Sequence, residues 1–508
     1  MTKLTNVLQT HLQKNSTRPF VRDIYLNQWF TGQDIEADIT TLQGYFQQMG
    51  LGNGDVILMS LRNSSAYLPI NQAMWRWGIT AHPVAANSAN KELAADYQEH
   101  QYPAVILTAD KVTDLQKFPE LSFELVKLRT FPEGLLIGYQ THRQTNPNHQ
   151  PTEDSLGWIL NTSGTTGKPK QVGLTHQMMW QAAIYDAESH QLSAQDTVLI
   201  VMPMFHINAQ ELIIVSTLFS DGRIVIAPKF SASSYWDWIS DYDCTWSSVV
   251  PTIVTILLKN QESQKRFNPR HHLRFIRCAS AMLPVERHQE FIERFQVPIL
   301  EGYGLTEACS QCTLNPLDQI RVGSVGKPYG TQVQIFAEGT YTTTANVTGE
   351  IVIKGNHVIT EYLNADAKAQ RDFHDGWFHT GDLGYFDHDG YLWLNGRRKN
   401  IINHGGEKIN PTMVEGTLGS LDFIKDVAVV GTPDQIYGEN VAAAIILQAG
   451  VDGSADLKNY ILSYAEKKLA KYRRPTEIYF IDQFPLNPTG KVIRPQLVKQ
   501  LTDLKMAE

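Results

Sequence analysis

Cysteine is scarce in this sequence, with only Cys244, Cys278, Cys309 and Cys312 in 508 residues. Four thiols cannot staple a chain of that length, so a disulfide-framed secreted scaffold is excluded and a reduced, cytoplasmic protein is the expectation. Uninterrupted apolar runs of ~18 residues are also missing, so no membrane span is readable, and mean hydropathy is −0.26. Positive charge is not in excess either. Lys and Arg number 44 against 52 Asp and Glu, a net −8. A globally basic nucleic-acid surface is therefore not expected, and any anionic ligand must be met by local groups. The first twenty residues, MTKLTNVLQTHLQKNSTRPF, lack a continuous apolar core and a small-residue cleavage site, so they do not read as a secretory signal.

What is present is apolar material in quantity: 42% of residues are hydrophobic and 19% charged, against ~25% charged in ordinary soluble chains. Such a chain buries large cores, and its length suits roughly three domain-sized units. Short Val/Ile/Leu runs recur at 55–61, 104–109, 197–202, 223–227, 247–250 and 274–279, separated by amphipathic stretches. Near-continuous apolar runs with helix-length spacers predict strands buried on both faces in a layered α/β body. Beyond about residue 330 the strands shorten, and Asp389-Gly390 marks a hairpin turn. After residue 400 the alternation returns on a smaller scale: strands at 425–431, 442–447 and 477–482 with a helix over 456–472. This places a large unit at 1–396 and a small one at 397–508, joined by a hinge within Gly396–Lys399.

The string Asn161-Thr162-Ser163-Gly164-Thr165-Thr166-Gly167-Lys168-Pro169-Lys170 follows a strand-like run. Its glycines let backbone N–H groups turn toward an anion, and its hydroxyls and ammonium groups add donors. It is not a Walker A loop, which needs four residues between its glycines and Ser or Thr after the lysine. Here Thr165-Thr166 alone separate Gly164 from Gly167, and Pro169 follows Lys168. Taken alone, such a string could equally be a surface turn.

Six further motifs accompany it in order: MPMFH at 202–206, ASAMLP at 279–284, EGYGLTEA at 301–308, WFHTGDLGYF at 377–386, GRRKNIINHGGEKINP at 396–411 and PTGKVIR at 488–494. Together with SGTTGKPK they resemble the adenylate-forming superfamily of acyl-CoA synthetases, peptide-synthetase adenylation domains and luciferase, along nearly the whole chain. The resemblance implies a large multi-subdomain N-terminal α/β body with a small mobile C-terminal α+β domain. It implies an enzyme that couples a carboxylic acid to a thiol through an acyl-adenylate, with ATP, magnesium and coenzyme A as cofactors.

By that resemblance Thr162, Ser163, Gly164, Thr165, Thr166, Gly167 and Lys168 cradle phosphates, with Ser280 and Ala281 also at the nucleotide. In EGYGLTEA, Tyr303 offers a face to adenine, Gly302 and Gly304 permit close backbone approach, Thr306 meets the α-phosphate and Glu307 holds magnesium. Asp382 and Arg397 match the ribose-binding acid and its companion arginine, where a planar fork outperforms an ammonium. His206 matches a histidine at the junction of acid and phosphates. Lys491 matches the adenylation lysine, Lys399 the hinge residue, and Gly405, Gly406 and Glu407 a channel for the pantetheine arm. A hairpin would also want the glycine pair, and an isolated Glu307 or Asp382 would read as a turn carboxylate.

Several features are set aside. Cys309 and Cys312 have CxxC spacing without a second pair, so a four-thiolate zinc site would lack half its ligands. Their place after Thr306-Glu307 makes them active-site wall. Asp387-His388-Asp389-Gly390 lacks the calcium-loop register and reads as a turn. The basic run of Lys467, Lys468, Lys471, Arg473 and Arg474 reads first as a charged helix face and second as a holder for the nucleotide end of coenzyme A. Among the family's groups the motifs look most like acid–CoA ligases of the oxalate type. The chain departs from them at Phe205-His206-Ile207-Asn208-Ala209, where a second histidine is absent, and at Cys309 and Cys312. A small or medium carboxylic acid is the expected substrate. Loading of an acid onto a carrier protein is the alternative, and a non-enzymatic nucleotide-binding relative a distant third.

Overall fold

The computed structural model describes residues 1–162, 170–364, 369–486 and 492–507. The chain opens on the helix Lys3–Lys14, whose Thr2 and Thr5 side chains cap it reciprocally while Leu4, Leu8 and Leu12 enter the core. A short apolar start therefore reads as structure, since its apolar residues fall on one helical face.

Two mixed sheets with parallel centres dominate. One runs, edge to edge, through Lys327–Pro328, Thr313–Leu314, Ile299–Tyr303, Phe275–Cys278, Trp246–Val249, Thr197–Ile200, Arg223–Ile226, Pro19–Asp23 and Gln28–Thr31. Its central pairs are parallel and its outermost ones antiparallel. The other runs through Leu121–Leu128, Phe131–Gln140, Ala104–Leu107, Val56–Ser60, Thr80–Val84, Leu156–Thr162 and Lys170–Thr175. Strands such as Thr197–Ile200 and Phe275–Cys278 are buried at every position. Their apolar composition has a simple cause: helices and the other sheet cover both faces. One continuous apolar cluster joins these sheets to a third, antiparallel one built from Gln332–Ala337, Thr340–Thr342, Gly349–Lys354, Phe373–His374, Trp377–Phe386 and Leu392–Arg397.

A fourth sheet is made of Ile402–His404, Glu407–Ile409, Ile424–Asp434, Gly438–Leu447 and Glu477–Phe480, with apolar clusters of its own. Its contacts with the body include Arg287, which donates to the Gly419 carbonyl at 3.4 Å, and Lys259, which donates to the Ile424 carbonyl at 3.5 Å.

The helix expected over 456–472 spans Ala455–Lys468 instead. Leu469 turns extended at φ −118 and ψ 143, and Arg474 binds the freed Leu469 carbonyl at 3.2 Å. This side-chain cap closes the helix one turn early; Lys471–Arg473 form a separate 3-10 turn.

Candidate active site

The strand Ile299–Tyr303 leads into a loop that folds back on itself. The amides of Cys309 and Ser310 bond the carbonyls of Thr306 and Leu305 at 3.0 and 3.2 Å, and Cys312 N–H bonds the Tyr303 carbonyl at 2.9 Å. A Cβ on Gly304 would stand 1.7 Å from the Ser310 carbonyl oxygen. The side of Gly304 that a Cβ would occupy is therefore filled by the chain's own backbone. At Gly302 a Cβ would lie 3.0 Å from the Thr313 carbonyl oxygen, again a protein neighbour.

Tyr303 is buried, and its hydroxyl donates to Asp382 Oδ2 at 2.8 Å. Asp382 faces Arg397 across paired strands, and its Oδ1 receives Arg397 Nε at 2.8 Å. Burial pushes the Tyr303 phenol well up, while Asp382 beside it raises the Arg397 guanidinium. Tyrosine, aspartate and arginine thus form one hydrogen-bonded row. Arg397 remains 45% exposed at its open end, where it can reach a further anion or hydroxyl.

Glu307 is not the solvated carboxylate of an open turn. It is 9% exposed, and Tyr362 donates to its Oε1 at 3.0 Å. Burial raises its carboxyl, opposed by the Tyr362 hydrogen bond and the charges of Arg397 and Lys170. Lys170 Nζ lies 4.3 Å from the centroid of the Tyr362 ring and pairs with Asp372 at 2.6 Å. The segment bearing Tyr362 is tied down by Ile359 N–H on the Glu307 carbonyl at 2.9 Å and Leu363 N–H on the Gln171 carbonyl at 3.0 Å. Tyr362 and Asp372 were not singled out from sequence. A lone tyrosine outside the motif strings carries no local signal, and its relation to Glu307 spans fifty-five positions.

His206 follows the buried strand Thr197–Ile200 and opens the helical stretch that includes the π-helix Asn208–Val215. Its ring centroid lies 4.0 Å from that of Phe205, and its N–H bonds the Pro203 carbonyl at 3.2 Å. Ser280 and Ala281 are exposed just past the strand Phe275–Cys278, with Ser280 at φ +75, a left-handed backbone unusual for serine. Thr162 ends its strand, and Thr306 is half-buried. Ser163, Gly164, Thr165, Thr166, Gly167, Lys168 and Lys491 lie outside the described residues.

Lys399 sits in the 3-10 turn Arg398–Asn400, and neighbouring Arg398 pairs with Glu350 at 3.1 Å. Gly405 and Gly406, at φ +61 and +91, form the two-residue turn between Ile402–His404 and Glu407–Ile409. Two positive φ values in a tight hairpin require glycine on their own account. A Cβ on Gly406 would meet nothing within 4 Å. In this arrangement the pair serves the turn, with Gly406 open and Gly405 against the Tyr437 ring, which a Cβ there would meet at 3.1 Å.

Cys309 and Cys312 are fully buried free thiols, and burial pushes both well up, so neither is held as a thiolate. Asp387 is drawn down to about 2 by hydrogen bonds from Trp393, Tyr391 and Arg321 despite partial burial, as a structural turn residue. Arg474 of the basic run pairs with Glu466 at 2.8 Å, and Lys467, Lys468 and Lys471 are exposed. Among the described residues no group of three or more His, Cys, Asp or Glu could hold a metal ion. A single recessed carboxylate does suit magnesium, which binds through one or two carboxylates and fills its shell with phosphate oxygens and water. No helix among the described residues is long and apolar enough to cross a membrane.

The chain matches the family model of the AMP-binding enzymes over residues 8–363 and that of the AMP-binding enzyme C-terminal domain over 413–491. It is 32% identical over 471 residues to a sulfoacetate–CoA ligase of Cupriavidus necator, covering 91% of each chain. It is 36% identical over 459 residues to an oxalate–CoA ligase of Arabidopsis thaliana, covering 88% of each. In fold it superposes on an anthranilate CoA ligase in complex with anthranoyl-AMP with TM-score 0.85 at 20% identity, covering 99% of this chain and 98% of that one. An O-succinylbenzoate coenzyme A synthetase of Bacillus subtilis, in complex with ATP and magnesium, gives TM-score 0.82 at 25% identity over 97% and 99%. Matched in both its large and its small parts, the chain belongs to the AMP-binding enzymes, the adenylate-forming family that its motifs resemble.

Proposed function

We propose that this chain is an AMP-forming acid–CoA ligase acting on a small carboxylic acid in the cytoplasm. The observation that carries it is the row Tyr303–Asp382–Arg397 standing beside the Tyr362–Glu307–Lys170 group, since the two share the loop 303–307. One side offers an aromatic ring, a carboxylate for ribose hydroxyls and a guanidinium. The other offers a recessed carboxylate with a cation beside it, the set a magnesium-bound triphosphate calls for. Relatives that act on sulfoacetate and on oxalate by name support the acid–CoA class.

In the first step a carboxylate oxygen of the acid attacks the α-phosphorus of ATP and the bond to pyrophosphate breaks. Two anions must approach, so charge placed before the reaction is the main lever. Thr306 and Lys491 receive the α-phosphate charge, His206 orients the acid, and Asp382 and Arg397 hold the sugar. Glu307 would hold magnesium, which when bound would supply positive charge against the repulsion between acid and phosphates. In the second step the sulfur of coenzyme A attacks the acyl carbon, the carbon–oxygen bond to AMP breaks, and the thiol proton is lost.

Lys491 and the pair Gly405-Gly406 act in different steps, and the small unit over 397–508 swings about Lys399 between two poses. This supports reading Gly406 as open in the present arrangement and the pair, with Glu407, as a channel wall in the other. The test is acid-dependent AMP release with coenzyme A or a carrier protein offered in parallel. Release of ADP instead, or acceptance of the carrier protein alone, overturns the assignment. Replacing Lys491 with alanine is expected to abolish pyrophosphate exchange by a factor of ~10²–10³ or more, while a supplied acyl-adenylate still yields thioester.

A further inference from the structure

Where the small unit meets the body, side-chain cations are set against backbone carbonyls. The apolar clusters of the small unit contain no residue of the body, so among the described residues no buried apolar cluster spans the two. Units joined without a shared core are free to move against each other. Across the seam reaches Arg287, on the body's helix Val285–Phe295. It is 7% exposed, and its Nη2 donates to the carbonyls of Gly419 and Ser420 at 3.4 and 3.5 Å and lies 3.8 Å from Asp422. Lys259, the last residue of the body's helix Pro251–Lys259, donates to the Ile424 carbonyl at 3.5 Å.

The acceptors belong to the end of a helix. Pro411–Gly419 stops at Ser420, and the last carbonyls of a helix have no partner within it. The Leu418 carbonyl takes the amides of Ser420 and Leu421, and the Thr417 carbonyl takes the Ser420 hydroxyl at 2.7 Å. The next two, Gly419 and Ser420, are met by Arg287. A helix carboxyl end carries partial negative charge and favours a cation, and here both cations come from the other unit. They also disfavour one another: burial and the Arg287 charge lower the Lys259 ammonium, opposed by Asp422 and Glu290. Glu290, paired with Arg287 at 2.6 Å, anchors the guanidinium on its own helix. Contacts this polar exchange for water at small net cost, which suits a joint that opens.

We propose that Arg287 and Lys259 are positioning residues for the adenylation step: they dock the carboxyl end of the helix Pro411–Gly419 and hold the small unit in the pose that presents Lys491, then release it for the thioester step. This rests on the ligase reading above and its two poses. A Cβ on Gly406 meets nothing within 4 Å in the present arrangement, so the docked pose is not the one in which that glycine lines a channel. Neither cation touches substrate; each acts through the placement of Lys491.

The test pairs each half-reaction with a direct reading of the pose, in the full-length chain. Asp422 is 94% exposed, so Asp422→Lys sets a third cation at the seam without disturbing a core. Asp422→Lys, Arg287→Met and Lys259→Met are each expected to slow pyrophosphate exchange several-fold, while thioester formation from a supplied acyl-adenylate is kept or quickened. Arg287→Lys is expected to keep part of the exchange. All four native thiols are buried, so dyes on Lys265→Cys in the body and Lys467→Cys in the small unit, both exposed positions, report the separation by energy transfer. With ATP present, one separation is expected to dominate, and Arg287→Met to enrich a second about tenfold, the loss of a charge-assisted hydrogen bond. Equal loss in both half-reactions, loss of thioester formation alone, or exchange and energy transfer unchanged in all three variants each overturns the inference and leaves the ligase reading standing. Wild-type exchange with none of a broad panel of acids overturns the ligase reading, and the dye separations then still test the docking.

Discussion

The hydroxyl of Tyr303 donates to Oδ2 of Asp382 at 2.8 Å, across seventy-nine positions of sequence, and so fastens the last residue of a parallel strand to an antiparallel sheet. Asp382 passes the connection on to Arg397, the last residue of the strand Leu392–Arg397. One carboxylate therefore ties the end of the strand Ile299–Tyr303 to both strands of the hairpin Trp377–Phe386 and Leu392–Arg397.

Replacing Asp382 with alanine removes both partners at once. A buried phenol loses its acceptor, at a cost of ~1–3 kcal/mol, and Arg397 loses its fixed orientation. ATP affinity is expected to fall at least tenfold by calorimetric titration, together with a lower melting temperature. Tyr303→Phe deletes only the donor and is expected to shift melting by less than the aspartate change.

Tyr362→Phe keeps the ring under Lys170 and removes the hydrogen bond to Glu307. The expected result is a raised magnesium requirement in pyrophosphate exchange, several-fold in half-saturating concentration, with melting nearly unchanged. An unchanged magnesium titration would show that Glu307 is oriented without Tyr362.

Two glycines separate backbone demands from ligand demands. Gly304→Ala drives a Cβ to within 1.7 Å of a carbonyl oxygen, so the loop must rebuild and both half-reactions are expected to fail. Gly406→Ala meets no neighbour, and its backbone at φ +91 costs about 1 kcal/mol. Selective loss of thioester formation with intact pyrophosphate exchange is the outcome expected if the second pose brings Gly406 to the pantetheine arm. Equal behaviour of both half-reactions would leave only the turn.

Acid should destabilise the fold through its buried histidines. Burial lowers His82, His176 and His357 to about 4 and His190 to about 3. Each therefore binds its proton more readily in the unfolded chain, whose histidines titrate near ~6.5. Stability is then complete above ~6.5 and falls as pH drops toward 4, by on the order of 1–3 kcal/mol per group. Asp186, raised to about 7, works in the opposite direction over the same interval, as do the raised carboxyls of Glu211 and Glu307, against these four histidines. The melting temperature is expected to fall from pH 7 to 4.5, and His176→Gln to flatten that slope.

The linear sequence by itself determined a good deal. Strands such as Thr197–Ile200, Arg223–Ile226 and Phe275–Cys278 are short apolar runs because both their faces are covered, so composition alone located them. The hairpin at Asp389-Gly390 was legible for a local reason, since Gly390 adopts φ +78. The motif strings likewise identified Asp382, Arg397, Tyr303 and Glu307 as a set. What the tertiary structure decided lies between distant segments: that Tyr362 holds Glu307, that Gly304 yields to Ser310, and that Arg277 is sealed in with its Nε and Nη1 unbonded. Hydrogen bonds across fifty or more positions, and the burial that leaves a charge unpaired, depend on how layers pack. Local periodicity and turn chemistry carry no record of that packing.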